Sequence, residues 1–183
     1  YIGWPTIARR KTGELLAVFS GDRDDHFCPW GKTHFVRSDD EGETWSTPEI
    51  IRDSPLDDRD AGIIESARGT LLVSWFTAVS FESNVDYREY AGALTTETRD
   101  RYLGNWVLRS GDGGRSWGEP IRVNASTPHG PVQLRDGRIL YLGVGKLDGE
   151  RAIVAEESVD DGRCWNVIGT VSHPPETAHR GLG

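Results

Sequence analysis

The sequence predicts an all-β protein built from repeated four-stranded antiparallel sheets fanned around a common axis, a β-propeller. Three observations predict it. One eight-residue turn pattern occurs three times within the 183 residues. Each copy is preceded by a glycine followed by a run of apolar, β-forming residues. Short strand-like runs also lie directly before and after each copy. Repetition on this scale marks solenoids, propellers or arrays, and four strands every ~40–50 residues mark propeller blades.

The turn pattern reads Ser, any residue, Asp, any, Gly, any, a small residue, Trp. Its copies carry Ser38, Asp40, Gly42 and Trp45, then Ser110, Asp112, Gly114 and Trp117, then Ser158, Asp160, Gly162 and Trp165. The chemistry is that of a tight hairpin. Glycine supplies a positive φ that a side chain resists. Aspartate accepts hydrogen bonds from nearby backbone N–H groups, and serine bonds locally in the same way. Tryptophan covers the turn from its apolar side and starts the next strand. The small residue is Thr44, Ser116 or Cys164, and a thiol there bonds more weakly. These positions are assigned to structure, at the outer rim of each sheet.

The remaining strands follow in order. A strand–turn–strand precedes each copy, over 6–19, 63–76 and 132–142, with turns at Gly13, Gly69 and Gly137, 56 and 68 residues apart. A third strand leads into each turn at 33–37, 106–109 and 152–155. A fourth leaves it at 49–51, 121–123 and 167–171. The expected division is one partial propeller domain over 1–183: blade one at 1–55, blade two at 56–125, blade three at 126–173 and the start of a fourth at 174–183. Blade two carries an insertion at 77–105, whose polar middle at 86–102 suits a surface helix or ordered loop over one face.

Composition narrows the function. The chain is 36% apolar and 27% charged, with 22 glycines and 9 prolines, as expected of a soluble, turn-rich protein. A net charge of −8 repels phosphate backbones, so nucleic acid is not an expected partner. No apolar run approaches the ~20 residues that span a bilayer, so no membrane partner is expected. Cys28 and Cys164 read as buried or half-buried free thiols, with a single disulfide as the alternative. No metal-ligand spacing occurs, so neither metal nor cofactor is expected. The chain begins at Tyr1, has no methionine and shows no signal-peptide pattern, and so reads as processed, cropped or fragmentary.

The three turns resemble the BNR or Asp-box repeats of the sialidase superfamily. Tyr1-Ile2-Gly3-Trp4-Pro5 followed by Leu15-Leu16-Ala17 is similar to that family's aromatic–Arg–Ile–Pro opening and its following strand. Ser20-Gly21-Asp22-Arg23 is similar to its Gly-Arg segment. The Gly-Trp-Pro, His-x-Cys-Pro, Asp-Asp-Arg-Asp-Ala-Gly and Ala-His-Arg-Gly segments resemble a bacterial sialidase-like subgroup, in which secreted, periplasmic and cytoplasmic locations all stay open. The resemblance implies a six-bladed propeller, about three blades of it present here, completed by a missing C-terminal half or by a second chain. It implies a carbohydrate ligand and an exo-α-sialidase-like glycoside hydrolase acting on terminal, acidic sugars. One departure matters. Gly3 stands where the family has the first of three arginines that clamp the sugar carboxylate. The alternatives are therefore a non-catalytic carbohydrate-binding propeller, or a propeller hydrolase or lyase of different sugar specificity.

In a propeller the residues just before each innermost strand gather at one end of the axis. Here they are Gly3-Trp4-Pro5, the loop Asp57-Asp58-Arg59-Asp60-Ala61-Gly62, Pro128-His129-Gly130-Pro131 and Ala178-His179-Arg180-Gly181. The loop at 23–30 in blade one reaches the same end, and by resemblance it carries the general acid. Retaining sugar hydrolysis needs a proton donor and a nucleophile on opposite faces. Asp24 or Asp25, with His26 beside them, are the acid candidates that the resemblance implies. Arg23 and Arg59 would bind an anionic group, and Asp58 and Asp60 would hold hydroxyls or orient those arginines. His129 and His179, with Arg180, would hydrogen-bond the sugar, and Trp4 or Trp30 would stack on its ring. Against these stand plainer readings: a solvated loop at 57–60, a surface Arg23 ion pair with Asp22 or Asp24, and capping roles for His26 and His129.

Overall fold

The computed structural model describes residues 1–171. The expected start of a fourth blade, with His179 and Arg180, lies outside the described residues.

Three four-stranded antiparallel sheets form, each an up-and-down meander. The first holds β1 (Gly3–Arg9), β2 (Leu15–Gly21), β3 (Lys32–Ser38) and β4 (Glu49–Arg52). The second holds β5 (Asp57–Glu65), β6 (Leu71–Ala78), β7 (Gly104–Ser110) and β8 (Ile121–Val123). The third holds β9 (Val132–Gln133), β10 (Ile139–Leu147), β11 (Glu150–Ser158) and β12 (Asn166–Val171).

The middle sheet explains why its strands read as continuous apolar runs. Leu71, Val73 and Trp75 of β6 join Leu16, Val18, Phe35, Ala61 and Ile63 in a core between the first two sheets. Leu72, one residue out of phase, joins Val107, Ile139, Tyr141 and Val154 in a second core against the third sheet. A strand covered on both faces has no polar side to alternate.

The three turns fold alike. Asp40 Oδ1 accepts from the Ser38 hydroxyl (2.7 Å) and the Thr44 amide (2.9 Å), while the Thr44 hydroxyl donates to Oδ2. Asp112 accepts from the Ser110 hydroxyl and the Ser116 amide at 2.8 and 2.9 Å, and Asp160 from Ser158 and Cys164, each at 2.8 Å. In each turn the serine oxygen also accepts the glycine amide, and Gly42, Gly114 and Gly162 have φ of 90°, 83° and 81°. The tryptophans precede the fourth strands and do not belong to them. Two turns also lock neighbouring sheets together. Arg37 donates to the carbonyls of Gly113 and Gly114, and Arg109 donates to Asp161 in the same way, both from the position just before the turn serine.

Hydrogen bonds, the Thr44 hydroxyl first, pull the Asp40 carboxyl down to about 2. A depressed folded pKa contributes stability that is present above the ordinary aspartate value near ~4 and is lost as the pH falls through the folded one. Asp40→Ala is therefore expected to lower the thermal midpoint at neutral pH and to converge on the parent protein near pH 2. Circular-dichroism melts at both pH values check this, and a difference that is unchanged at low pH would rule it out.

The insertion in the second sheet forms two 3-10 turns, Ser80–Ser83 and Val85–Tyr87, then α1 (Arg88–Ala93) and α2 (Thr96–Tyr102). Phe81 of the first turn is buried, Tyr90 donates to the Pro55 carbonyl at 2.8 Å, and the Tyr90 ring meets Trp30 edge-on at 4.8 Å. Trp30 thus packs against the insertion. Both cysteines are free, but only Cys28 is buried. Cys164 is exposed, because the turn sets its thiol at the surface.

Candidate functional site

Strand pairing fixes which parts of the chain meet. Gly3 stands opposite Ser20, and Asp57 opposite Ala78. The starts of β1 and β5 therefore share one end of the molecule with the 22–31 loop and the insertion.

At that end the innermost strands repeat an unusual backbone feature. Trp4, Asp60 and His129 have φ of 52°, 50° and 76°. Left-handed backbone is uncommon outside glycine, is an outlier for a bulky residue, and gathers at functional sites. The pairing of β1 shifts between Gly3 and Thr6, and that of β5 between Arg59 and Gly62, so Trp4 and Asp60 sit in matching bulges. Close approach explains the geometry. A Cβ at Gly62 would stand 2.3 Å from the Gly130 nitrogen, so the backbones of β5 and the 129–130 turn are in contact. The Thr6 hydroxyl ties the three together, lying 3.0 Å from the Ala61 carbonyl and 2.9 Å from His129 Nδ1.

Beneath this rim lies a buried ionic cluster. The expected loop at 57–60 is instead the start of β5, because its charges are neutralised inside. Asp57 is fully buried, and Asp58, Arg59 and Asp60 are 0%, 4% and 8% exposed. Arg23 Nη2 donates to Asp57 Oδ2 at 2.9 Å, and Nη1 lies 2.7 Å from Oδ1 as an ion-pair contact off hydrogen-bond alignment. Arg23 also donates to the Ser20 hydroxyl (2.8 Å) and the His26 carbonyl (2.7 Å). Arg59 Nη1 donates to Asp57 Oδ2 (3.1 Å) and to the same His26 carbonyl (2.7 Å). The reading of Arg23 as a surface ion pair with Asp22 or Asp24 is thus corrected: its partner is Asp57, and neither side chain has any exposure. Gly31 makes room, since a Cβ there would stand 2.2 Å from Arg23 Nη1.

Aromatic rings frame the cluster. The Arg59 guanidinium lies 5.0 Å from the Trp4 ring, 4.8 Å from Phe27 and 6.0 Å from Phe76, and Arg23 lies 5.3 Å from Trp4. The half-buried Trp4 meets His26 edge-on at 5.1 Å.

The other candidates divide by environment. Asp58 accepts from Trp75 Nε1 (3.0 Å) and the Ser54 amide (2.7 Å), and burial pushes its carboxyl up to about 7. It has no exposure, so it holds the interior and meets no ligand, against the expectation that it would hold a hydroxyl. Asp60 differs. Burial raises its carboxyl above the ordinary range against the pull of Arg59 and Arg23, and its Oδ1 has no hydrogen-bond partner. Asp24, Asp25 and His26 are exposed on the loop, with the His26 amide donating to Asp25 Oδ1 at 2.6 Å. His129 is exposed at the rim. Asp57 is the residue that sequence reasoning underrated, since no local pattern distinguishes it from its charged neighbours.

A separate cleft of about 600 Å³ lies between the outer strands of the second sheet and β10 and β11 of the third, lined by Arg122, Asn124, Lys146 and Glu156 among others. Glu156 is saturated by the amides of Asn124 and Ala125. Among the described residues no cluster of His, Cys, Asp and Glu is arranged to hold a metal ion.

The fold is shared with solved structures. A protein of unknown function from Dyadobacter fermentans DSM 18053 superposes with a TM-score of 0.70 at 22% identity, covering 96% of this chain and 56% of that one. The Hadza microbial sialidase Hz136 superposes with a TM-score of 0.70 at 17% identity, covering 93% and 38%. The α-L-arabinanase of Penicillium chrysogenum, complexed with arabinobiose, gives 0.60 at 18% identity, covering 96% and 51%. At these identities the likeness is one of fold, a sialidase-like propeller, and the chain spans about half or less of each of these proteins. No family model and no curated protein matches the chain.

Proposed function

We propose that this chain is part of a propeller glycoside hydrolase that acts on terminal sugars at the end where β1, β5 and β9 begin. The observation that carries the reading is the repeated left-handed residue at the three innermost strand starts, which puts an indole, a carboxyl and an imidazole at one rim: Trp4, Asp60 and His129. Sugar sites combine these groups, an aromatic face for the ring and polar groups for hydroxyls and proton transfer.

Asp60 is the proton donor in this reading. General acids of glycosidases work from environments that hold a carboxyl toward its protonated form, and burial does so here. Its Oδ1, buried without a protein partner, has no hydrogen bond to favour the charged form. Trp4 stacks on the sugar, His129 bonds a hydroxyl, and the loop with Asp24, Asp25 and His26 flanks the leaving group. The nucleophile comes from blades beyond the described ones, as the resemblance to sialidases implies. The buried Arg23–Asp57–Arg59 cluster positions Trp4 and Asp60 from below.

Carbohydrate binding without turnover is the second reading, favoured by Gly3 at the family's arginine position. A panel of 4-methylumbelliferyl glycosides offered to the full-length protein separates the two. Fluorophore release from any member supports the hydrolase. Thermal stabilisation by free sugars without release supports binding alone, and neither response overturns both.

A further inference from the structure

We infer that the site, read as a sugar site as above, takes a neutral, hydroxyl-rich sugar and not a sugar acid. Recognition of a carboxylate needs a guanidinium fork, or an equivalent cation, with free donors facing the ligand. The described rim has two arginines close enough to serve, and both are buried, Arg23 at 3% and Arg59 at 4% exposure.

Arg23 spends both terminal nitrogens on Asp57, Ser20 and the His26 carbonyl, and its side chain has no exposure. Its Nε is buried without a partner and is out of reach of any ligand. Arg59 shares Asp57 and the His26 carbonyl through Nη1, while Nη2 lies 3.5 Å from His26 Nε2. Its planar faces are taken up by the rings of Trp4, Phe27 and Phe76. Arg59 is 4% exposed, which leaves little of its fork to meet a carboxylate. Gly3 supplies no charge where a third arginine would stand.

The balance of charge points the same way. Arg23 and Arg59 face Asp57 and Asp60 in the cluster, with Asp24 and Asp25 on the loop above. With Asp60 held toward its protonated form, the two cations face three other carboxyl groups, a balance that disfavours an incoming carboxylate. The same groups suit hydroxyls, which donate to carboxylate oxygens and accept from imidazole N–H. The cations of the side cleft, Arg122, Lys146 and Arg151, line a cleft to which Trp4, Asp60 and His129 do not contribute.

Matched sugar pairs test this on the full-length protein. The 4-nitrophenyl galactoside and galacturonide, and the glucoside and glucuronide, differ only in a carboxylate at C6. The xyloside, the arabinofuranoside and the 4-methylumbelliferyl N-acetylneuraminide complete the set, with the free sugars compared by thermal shift. A neutral sugar is expected to be cleaved, or to stabilise the fold, roughly tenfold better than every acid in the set. A sialoside or uronide that equals or exceeds the neutral sugars overturns this inference and leaves the hydrolase reading standing. No cleavage and no stabilisation by any sugar removes both.

Discussion

Asp57→Ala is expected to cost the folded protein ~3–5 kcal/mol, more than any neighbouring acidic substitution, because it strands buried positive charge. Asp57 is fully buried and, among the described residues, is the only carboxylate paired with either Arg23 or Arg59. Burial works to lower the Arg23 pKa, yet the hydrogen bond and charge of Asp57 outweigh it and hold that pKa above the ordinary arginine value. Arginine does not escape by losing its proton. Without Asp57 the cluster must admit water or open, and opening releases the 22–31 loop and the start of β5 together. Urea unfolding of the full-length protein measures the loss. Asp24→Ala is the control, exposed and expected to fall within ~0.5 kcal/mol of the parent. The double variant Arg23→Met, Asp57→Leu is expected to recover part of the loss, since apolar replacement of a buried pair costs less than breaking it. A single variant within ~1 kcal/mol of the parent would mean that water already compensates the pair, contrary to its burial.

The same cluster marks where the sequence stops being readable. The turns are legible because each is a local device: serine, aspartate and glycine at fixed spacing make their bonds within five residues, as found at Ser38 to Gly42 and its two counterparts. The strands of the second sheet are legible for a related reason, since a continuous run such as Leu71-Leu72-Val73 needs apolar cover on both sides. Asp57-Asp58-Arg59-Asp60 is the opposite case. Four charged residues in succession read as a solvated loop, and what makes them a buried strand is Arg23, 34 residues earlier in the chain. Nor does residue type reveal the left-handed backbone of Trp4 and His129, because neither close approach nor strain is a property of the side chain. A signal did exist in the register. Trp4 and Asp60 each stand nine residues before a strand-turn glycine, Gly13 and Gly69, and His129 eight before Gly137. The arginines at 37 and 109 were equally visible as a repeat, and the structure gives them their role of bonding the next turn.

Asp60→Asn is expected to lower turnover by ~10²–10⁴-fold, the usual worth of a positioned general acid, while leaving the fold near its parent stability. Stability is spared because Asp60 Oδ1 has no partner to lose, and an amide carries no charge to desolvate. Asparagine also tolerates the left-handed backbone at this position better than most residues. The loss must depend on the leaving group. A 2,4-dinitrophenyl glycoside departs without a proton, so the variant retains most of its activity on it, whereas a sugar leaving group needs the proton and suffers the full loss. The pH profile supplies a second readout. Burial raises the Asp60 carboxyl, so under the proposed function kcat/KM is expected to fall as the pH climbs through that value and the acid gives up its proton. Asparagine has no proton to lose, and this alkaline limb should disappear. A uniform loss across leaving groups, with KM raised and the limb intact, would instead make Asp60 a hydroxyl-binding residue and move the acid to the loop. Asp24→Asn and Asp25→Asn would then show the leaving-group dependence, since a glycosidase at this rim needs one carboxyl to protonate the departing oxygen.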